Sequence, residues 1–438
     1  MKRVLIITYY WPPSGGAGVQ RFLKFVKYLP GFDIQPVVLT CSNPTYPIID
    51  PSLAGEIPPG TEVHTARTLE PFRFYSRLSG ISEQEAASPS TVLSTASGSR
   101  MQRLSRWIRA NLFVPDARLG WVPFARRKAK QLIRRHGIDT VVTTGPPHST
   151  HFIGLWLKRK TGIRWIADFR DPWTDIHYNR ALPRLPFTRR RDERMELRVL
   201  RLADEITVTA PGTARYFSEK TNRDCHIITN GFDPDDFVEI APISGEASPD
   251  GAFIIRHTGS ITETSIPDSL LRVLSRLPED QIRLECIGPV HSDMIRQSER
   301  LELGKRLTLL PYRPHREATA SMQQSDLNLV VVHRSSDSRM LIPGKIYDYL
   351  KAGKPIMGIG PPEGDAAGII ERCGMGKVFN YGDEDGPEAW LRELIRSKTE
   401  KQSEITGFSP EKTEINRYSR VTLTRRFASL LAGDTDKE

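Results

Sequence analysis

Short apolar runs alternate with amphipathic segments along the first half of the chain. Runs of this kind are typical of strands buried on both faces of a parallel sheet, and the amphipathic segments between them predict covering helices. The pattern therefore predicts an α/β fold built on a parallel sheet. The apolar runs are residues 4–7, 36–40, 140–144, 164–168, 205–210 and 226–229.

The second half of the chain repeats this alternation. A chain of 438 residues exceeds what a single hydrophobic core usually supports, so two domains are expected. Ligands of open α/β sheets bind beyond the carboxyl ends of the strands, and we expect the two domains to face each other across such a cleft. The apolar runs of the second half are residues 253–260, 282–289, 307–312, 327–332 and 355–361.

A stretch rich in Pro, Gly and Ser, residues 238–252, is the best candidate for a linker. We predict an N-terminal domain over residues 1–240 and a second domain over residues 250–415. A C-terminal helix over residues 416–438 is predicted to return to the first domain. Residues 81–99 are polar and without period, which predicts a mobile surface insertion.

The basic charge of the chain is concentrated in its first half. Residues 1–240 contain 35 Lys and Arg against 23 Asp and Glu, whereas residues 241–438 contain 27 against 29. Basic amphipathic helices with interleaved apolar residues suit an anionic membrane surface, although solvated helix faces show the same pattern. Nucleic-acid binding is disfavoured because no recognised motif accompanies the charge. The basic segments are residues 100–112, 125–135 and 183–201.

Cysteine usage and hydropathy exclude several classes of protein. No apolar stretch reaches the roughly 18 residues that span a bilayer, and the first strand begins without a signal-peptide pattern. The four cysteines lack the C-x-x-C spacing of zinc sites and disulfide frameworks. We therefore expect a cytoplasmic protein with free thiols, and no metal site.

A glycine cluster separates the first apolar run from the first helical pattern. Gly15, Gly16 and Gly18 precede apolar residues at helical spacing from Phe22 to Leu29, so the cluster lies at a predicted helix N-terminus. Free N–H groups and the helix dipole favour an anion there. The spacing differs from G-x-G-x-x-G, and a plain turn that docks the helix is the alternative interpretation.

Five motifs, and the order in which they follow one another along the chain, resemble those of family 4 glycosyltransferases of the GT-B fold. The most informative is "GKIYDYLKAGKPIMGIG" (344–360), in which an acidic residue precedes G-K-P by five positions. The resemblance implies two Rossmann-like domains and a nucleotide-sugar donor. The other motifs are "GGAGVQR" (15–21), "GPPHSTHFIG" (145–154), "IADFRDPW" (166–173) and "ITNGFD" (228–233).

The resemblance assigns the donor-binding residues mainly to the second domain. Asp348 falls on the second glutamate of the family's E-x7-E pattern and would accept hydrogen bonds from the ribose, whereas the first glutamate falls on Met340. Tyr312 and Arg313 lie where family members hold the base. Gly15 and Gly16 of the first domain are expected to face the donor diphosphate.

The cations that commonly follow the first strand of the second domain are missing here, because Gly259 and Ser260 stand in that loop. Lys345 and Arg339 are the expected substitutes, with Gly344 at the start of the same helix. A helix N-terminus disfavours a cation, so Lys345 at that place indicates an anionic partner. A solvated lysine in the first turn is the alternative.

In the first domain the resemblance points to His148 beside the donor sugar, with His151 as the alternative. We assign catalytic roles to His148 and Lys345. Arg21, Arg170 and Asp171 are predicted on the acceptor side, although Arg170 between two aspartates is also consistent with a structural ion pair.

The function these residues imply is transfer of a hexosyl group from a nucleotide-diphosphate sugar, most commonly a UDP-sugar, to a hydroxyl of a lipid-linked or growing cell-surface glycan. The resemblance implies retention of configuration, and no metal or other cofactor is expected. The protein would act at the inner face of the cytoplasmic membrane. A sugar-nucleotide 2-epimerase of the same fold and a non-catalytic nucleotide-sugar-binding protein are the alternatives.

Overall fold

The computed structural model describes residues 1–46, 49–69, 100–237, 251–400 and 407–433. The chain divides into two compact units, one formed by Met1–Thr229 with Leu423–Glu438 and the other by Asn230–Thr422. The predicted insertion over residues 81–99 and most of the predicted linker lie outside the described residues.

The first unit is built on a seven-stranded parallel sheet of order β3-β2-β1-β4-β5-β6-β7. Its strands are β1 (Lys2–Ile7), β2 (Ile34–Cys41), β3 (Glu62–Ala66), β4 (Thr140–Gly145), β5 (Arg164–Phe169), β6 (Glu205–Val208) and β7 (His226–Ile227). Its helices are α1 (Ala17–Tyr28), α2 (Arg100–Leu112), α3 (Val122–His136), α4 (His151–Thr161), α5 (His177–Arg180), α6 (Pro186–Leu202) and α7 (Pro211–Thr221).

Helices cover both faces of this sheet, because its strands are apolar on both sides. On one face Phe22 and Phe25 of α1 pack against Phe427, and the rings of Phe25 and Phe427 are 4.7 Å apart. On the other face α3 and α4 contribute Leu132 and Leu157 to a second apolar layer. Residues near the C-terminus thus complete the core of the first unit.

The second unit contains a six-stranded parallel sheet of order β10-β9-β8-β11-β12-β13. Its strands are β8 (Phe253–Thr258), β9 (Ile282–Ile287), β10 (Leu307–Leu310), β11 (Leu327–Val331), β12 (Ile356–Ile359) and β13 (Gly376–Phe379). The remaining helices are α8 (Asp268–Arg276), α9 (Ser292–Arg300), α10 (His315–Gln323), α11 (Lys345–Ala352), α12 (Asp365–Arg372), α13 (Asp385–Glu400), α14 (Lys412–Asn416) and α15 (Arg420–Ala432), of which α15 runs on into the first unit.

Within the described part of the chain, no helix is both long and apolar enough to cross a membrane. The four cysteines are free thiols, and burial raises the pKa of Cys286 to about 12.

Candidate active site

The glycine turn after β1 forms the N-terminus of α1, as the sequence predicts. Gly16 adopts a φ of 101°, a left-handed conformation that L side chains rarely adopt, and it precedes the first residue of α1. Gly15 is half-buried and Gly16 is exposed. The free N–H groups of this turn are therefore available to an anion.

Gly18, in the first turn of α1, lies against the guanidinium of Arg170. A Cβ atom at Gly18 would come within 1.6 Å of Arg170 Nη1, so any side chain there would displace the arginine. Arg170 Nε donates to the carbonyl of Gly145 at 3.2 Å, and Nη2 donates to the carbonyl of Pro146. Burial lowers the pKa of Arg170 from its usual value, although Asp171 and Asp168 oppose this shift. Arg170 therefore links the β4 and β5 ends to the α1 turn.

Arg21 is completely buried and forms an ion pair with Asp168. Its Nη2 lies 2.8 Å from Asp168 Oδ1, and its Nη1 donates to the carbonyl of Thr229 at 2.8 Å. Thr144 and Thr207 also donate to the Asp168 carboxylate, at 2.9 and 2.7 Å. Burial alone would raise the pKa of Asp168, but the Arg21 charge and these hydrogen bonds hold it below its usual value. Arg21 is thus tied into the scaffold of the first unit.

His148 and His151 follow β4 and belong to one aromatic cluster. The ring of His148 stacks on Trp173 with centroids 5.0 Å apart and a 5° interplanar angle, and His151 stacks on Phe169 at 4.4 Å. Thr143 Oγ1 lies 2.9 Å from His151 Nδ1. Burial lowers the pKa of His151 to about 3 and that of His148 well below its usual value, so both imidazoles are neutral at pH 7.

Three ring nitrogens of this pair, both of His148 and Nε2 of His151, are buried without a hydrogen-bond partner among the described residues. Two of them converge on Gly145, where a Cβ atom would lie 2.7 Å from His151 Nε2 and 2.9 Å from His148 Nδ1. A glycine is therefore required here for the two histidines to keep their positions. The sequence left both histidines as candidates, and the structure brings them together.

A cavity of about 650 Å³ opens beside the segment that follows β5. Trp173 is not part of its lining, but its Nε1 donates to the lining residue Asp192 at 2.9 Å, and its ring face stacks on His148. Glu196, fully buried, accepts from Thr174 Oγ1 and from Lys220, both at 2.7 Å. Sequence reasoning missed these residues. The lining is Thr174, Asp175, Asn179, Arg180, Arg184, Arg189, Asp192, Glu193, Glu196, Leu197, Tyr216 and Lys220.

In the second unit the structure brings Lys345 and Gly259 together. Lys345 is the first residue of α11, and a Cβ atom on Gly259 would lie 3.1 Å from its Nζ. Lys345 Nζ lies 3.0 Å from His257 Nε2, and His257 Nδ1 lies 3.1 Å from the carbonyl oxygen of Leu329. Because a carbonyl only accepts, Nδ1 carries the ring proton, and Nε2 accepts from the lysine. His257, hidden in an apolar strand, is a residue that sequence reasoning missed.

The charge of Lys345 is uncompensated. Burial lowers the pKa of Lys345 to about 8, and it also holds the pKa of His257 well below its usual value, so the histidine is neutral. Among the described residues no carboxylate forms an ion pair with Lys345. A cation in a partly buried place at a helix N-terminus is unfavourable by itself, and an anion would relieve it.

Three other predicted donor-binding residues of the second unit lie in the same segment of the chain as Lys345. Asp348 is half-buried in the first turn of α11, and Gly344 precedes that helix. Arg339 is exposed and pairs with the equally exposed Glu363 at 3.1 Å. These residues share the segment around the α11 N-terminus, but no contact joins Arg339 to Lys345 in the described structure.

Near β10, Arg313 Nη1 donates to Ser321 Oγ at 3.2 Å, and the side chain of Tyr312 is 72% exposed. Ser260, after β8, is also exposed. Exposed aromatic and hydroxyl groups of this kind are available to a ligand without rearrangement of a core.

Comparison with known proteins confirms the resemblance to family 4. Residues 86–236 match the family model described as Glycosyltransferase Family 4. No curated protein sequence matches the chain.

Solved structures resemble the whole chain in fold. HepE from Anabaena, in complex with UDP and glucose, is 16% identical over 99% of this chain and 100% of its own, with a TM-score of 0.62. Sucrose-phosphate synthase from Thermosynechococcus elongatus is 12% identical over 99% of both chains, with a TM-score of 0.64. The lipopolysaccharide outer core galactosyltransferase WaaB is 11% identical over 99% of both, with a TM-score of 0.57. The predicted GT-B fold is confirmed.

Proposed function

We propose that this GT-B glycosyltransferase transfers a hexosyl group from a UDP-sugar to a hydroxyl of a lipid-linked or growing cell-surface glycan, with retention of configuration. The match over residues 86–236 supports the reaction class. HepE, which shares this fold, has been solved in complex with UDP, and this supports uridine as the base.

The observation that carries the proposal is the uncompensated Lys345. Cleavage of a nucleotide-diphosphate sugar develops negative charge on the departing diphosphate and positive character at the anomeric carbon. The Lys345 ammonium lies beside Gly259, near the N–H groups at the start of α11. Together these groups offer positive charge to the departing diphosphate. His257, being neutral, orients this cation without cancelling it.

His148 suits the other charge of the reaction. An imidazolium would repel the positive character that develops at the anomeric carbon, whereas a neutral ring does not. Burial keeps His148 neutral, and both its nitrogens lack partners among the described residues, so the ring can exchange hydrogen bonds with a sugar hydroxyl. Stacking on Trp173 fixes the plane of the ring.

The cavity beside Trp173 is the proposed place for sugar hydroxyls of the acceptor. Its carboxylates accept hydrogen bonds, and its arginines and lysine donate them. Neighbouring sugar hydroxyls can therefore bind there both as donors and as acceptors. The carboxylate of Asp192 is shared between this cavity and the indole of Trp173, which stacks on His148. An acceptor bound there would lie one aromatic ring away from the proposed catalytic histidine.

The test is a transfer assay with UDP-, GDP- and ADP-sugars and a membrane lipid extract as acceptor. We expect nucleotide release from UDP-sugars that rises when extract is added, and loss of this release in Lys345→Met. Lys351→Met, an exposed lysine of the same helix, is the matched control and should remain active. Conversion of the donor to an epimer without acceptor, followed by NMR, would instead establish an epimerase.

The membrane part of the proposal is supported by exposed apolar side chains on a basic surface. Leu104, Trp107 and Leu112 of α2 are 51, 41 and 65% exposed, and Phe187 at the start of α6 is 71% exposed. Asn111 connects the two segments, donating to the carbonyl of Pro183 at 3.0 Å and accepting from Leu185 N at 2.8 Å and from Thr188 Oγ1 at 2.9 Å. Apolar groups among arginines favour an anionic lipid surface.

Co-sedimentation with vesicles tests this part separately. Vesicles that contain anionic lipid should sediment the protein, neutral vesicles should not, and salt should release it because the Debye length shortens. Arg103→Glu, Arg106→Glu and Arg109→Glu together should abolish binding. Reversal of three exposed cations of the second unit, Arg300, Lys305 and Arg396, is the matched control. Wild-type protein that ignores anionic vesicles at low salt would favour a soluble acceptor.

A further inference from the structure

Three metal-ligating side chains meet at the edge of the first sheet, and we call them the Glu-His-His cluster: Glu62, His64 and His136. Glu62 and His64 are alternate residues of the edge strand β3, so both project from the same face of the sheet. His136 is the last residue of α3, which ends because Gly137 adopts a left-handed φ of 62°.

The distances within the cluster match those between the ligands of one metal ion. Glu62 Oε2 lies 3.6 Å from His64 Nε2 and 3.5 Å from His136 Nε2. All three ligand atoms lie within 4.8 Å of one another. Zinc–nitrogen and zinc–oxygen bonds of about 2.0–2.1 Å in tetrahedral geometry place neighbouring ligand atoms about 3.3 Å apart. Both measured distances from Glu62 are within about 0.3 Å of that value.

The two imidazole nitrogens that face Glu62 are otherwise unused. His64 Nε2 and His136 Nε2 are buried and have no hydrogen-bond partner among the described residues. Their separations from Glu62 exceed ordinary hydrogen-bond lengths. Leaving buried polar atoms unpaired costs free energy, and two such atoms aimed at one carboxylate indicate a shared ligand.

The charges around the cluster are mixed. Glu62 and the C-terminal carbonyls of α3 favour a cation. Arg3 opposes it, with Nη1 2.7 Å from His136 Nδ1 and Nη2 3.9 Å from Glu62 Oε1. Burial and, to a smaller extent, the charge of Lys128 lower the pKa of His64. The Arg3 side chain is 44% exposed and can turn into solvent, which frees His136 Nδ1 to carry the ring proton.

We propose that the Glu-His-His cluster binds one Zn²⁺ ion through Glu62 Oε2, His64 Nε2 and His136 Nε2, with water in the fourth position. Two imidazoles and one carboxylate are a ligand set that suits zinc and disfavours Mg²⁺ and Ca²⁺. The ion would join the edge strand β3 to α3. The cluster lies at the amino-terminal side of β1 and β3, whereas the candidate active-site residues follow the carboxyl ends of their strands, so this inference is independent of the proposed glycosyl transfer.

The sequence hides this cluster, since Glu62 and His64 are 72 residues or more away from His136. The expectation of no metal site rests on the scattered cysteines, which take no part in it. Only the pairing of β3 with β2 and the packing of α3 on the sheet bring the three side chains together.

Calorimetric titration of untagged, metal-stripped protein with Zn²⁺ tests the proposal. We expect one equivalent to bind, with no competition from excess Mg²⁺. Loss of an outer-shell partner alone typically weakens metal sites about 10- to 100-fold, so Glu62→Gln, His64→Ala and His136→Ala should each weaken binding at least tenfold. Bound Co²⁺ should show the visible absorption of a tetrahedral site without a thiolate band.

His226→Ala is the matched control, because His226 forms an otherwise similar pair with Glu205 at 2.9 Å. It should bind zinc as the wild type does, and Arg3→Met should bind at least as tightly. Glu62→Gln is isosteric and keeps the test valid if a histidine variant fails to fold. Unchanged affinity in Glu62→Gln, or equal losses in His226→Ala, would overturn the proposal.

Discussion

Arg21 in the first unit and Lys345 in the second are both cations near the N-terminus of a helix, but their surroundings differ. Arg21 is paired with Asp168 and donates to the Thr229 carbonyl, so its charge is compensated within the scaffold. Lys345 is bonded to the neutral His257, which leaves its charge uncompensated. A compensated buried cation stabilises a fold, whereas an uncompensated one favours an anionic ligand.

The largest expected effect of this difference is on stability. Asp168→Asn leaves Arg21 as an unpaired buried charge, and the free energy of unfolding should fall by about 3–5 kcal/mol. Lys345→Met should cost much less, because it removes an unpaired charge and leaves one neutral ring nitrogen without a donor. Urea denaturation of both variants measures the two losses. Equal losses would show that Lys345 is as much part of the scaffold as Arg21.

Removal of the Lys345 charge should act on the reaction instead. Loss of one preformed donor to a developing anion lowers turnover about 100- to 1,000-fold, and we expect a decrease in this range for Lys345→Met. Calorimetry should show a larger loss of affinity for the nucleoside diphosphate than for the nucleoside. Lys351→Met should leave both affinities unchanged. If the two ligands lose affinity equally, Lys345 does not contact the phosphates.

Asp348→Asn tests the ribose contact at the same helix. A hydrogen bond to a charged group contributes about 1.5–3 kcal/mol, so affinity for nucleoside and nucleoside diphosphate should fall alike. This equal loss distinguishes Asp348 from Lys345. Unchanged affinity for both ligands would remove Asp348 from the site.

The pKa of Lys345, lowered by burial to about 8, predicts a pH dependence of diphosphate binding. The protonated lysine binds the anion, so affinity should be constant below pH 8 and should fall about tenfold per pH unit above it. Lys345→Arg keeps its charge over this range and should abolish the fall. Calorimetry from pH 7 to pH 9.5 measures both profiles. A fall that persists in Lys345→Arg would assign it to another group.

The smallest effect is expected from the histidines of the first unit. Burial lowers the pKa of His151 to about 3 and that of His148 well below its usual value, so neither should titrate in the range around pH 6.5 where a free imidazole does. The turnover number should show no ionisation from these residues in that range, even though His148→Gln should lower it. A step near pH 6.5 that vanishes in His148→Gln would contradict the neutral imidazole.

Sequence reasoning was most informative where burial imposes a pattern. Strands covered on both faces are apolar throughout, so both parallel sheets were predictable, and the glycine turn before α1 was predicted from Gly15 to Gly18. Lys345 was found because a cation is unusual at a helix N-terminus. Each of these signals is local along the chain.

Features that depend on distant partners could not be predicted. The sequence of residues 183–201 predicts a basic surface helix, yet Asp192 and Glu196 of α6 are at most 1% exposed. Asp192 forms an ion pair with Arg184, and Glu196 forms one with Lys220. His257 lies within a predicted buried strand, where no sequence pattern indicates a function. Its contact with Lys345 Nζ, beside Gly259, depends on the folded structure. The boundaries of the domains and the roles of the site residues stay predictions.

The place of Phe427 in the first core has a consequence for biosynthesis. Leu423, Phe427 and Leu431 pack with Phe22 and Phe25, so the apolar face of α1 is not fully covered until the ribosome has translated the second unit. During synthesis Phe22 and Phe25 therefore remain accessible to chaperones while about two hundred further residues are added. Translation proceeds at roughly 5–20 residues per second, which sets the duration of this exposure. A chain cut before residue 423 would leave that face permanently exposed and prone to aggregation.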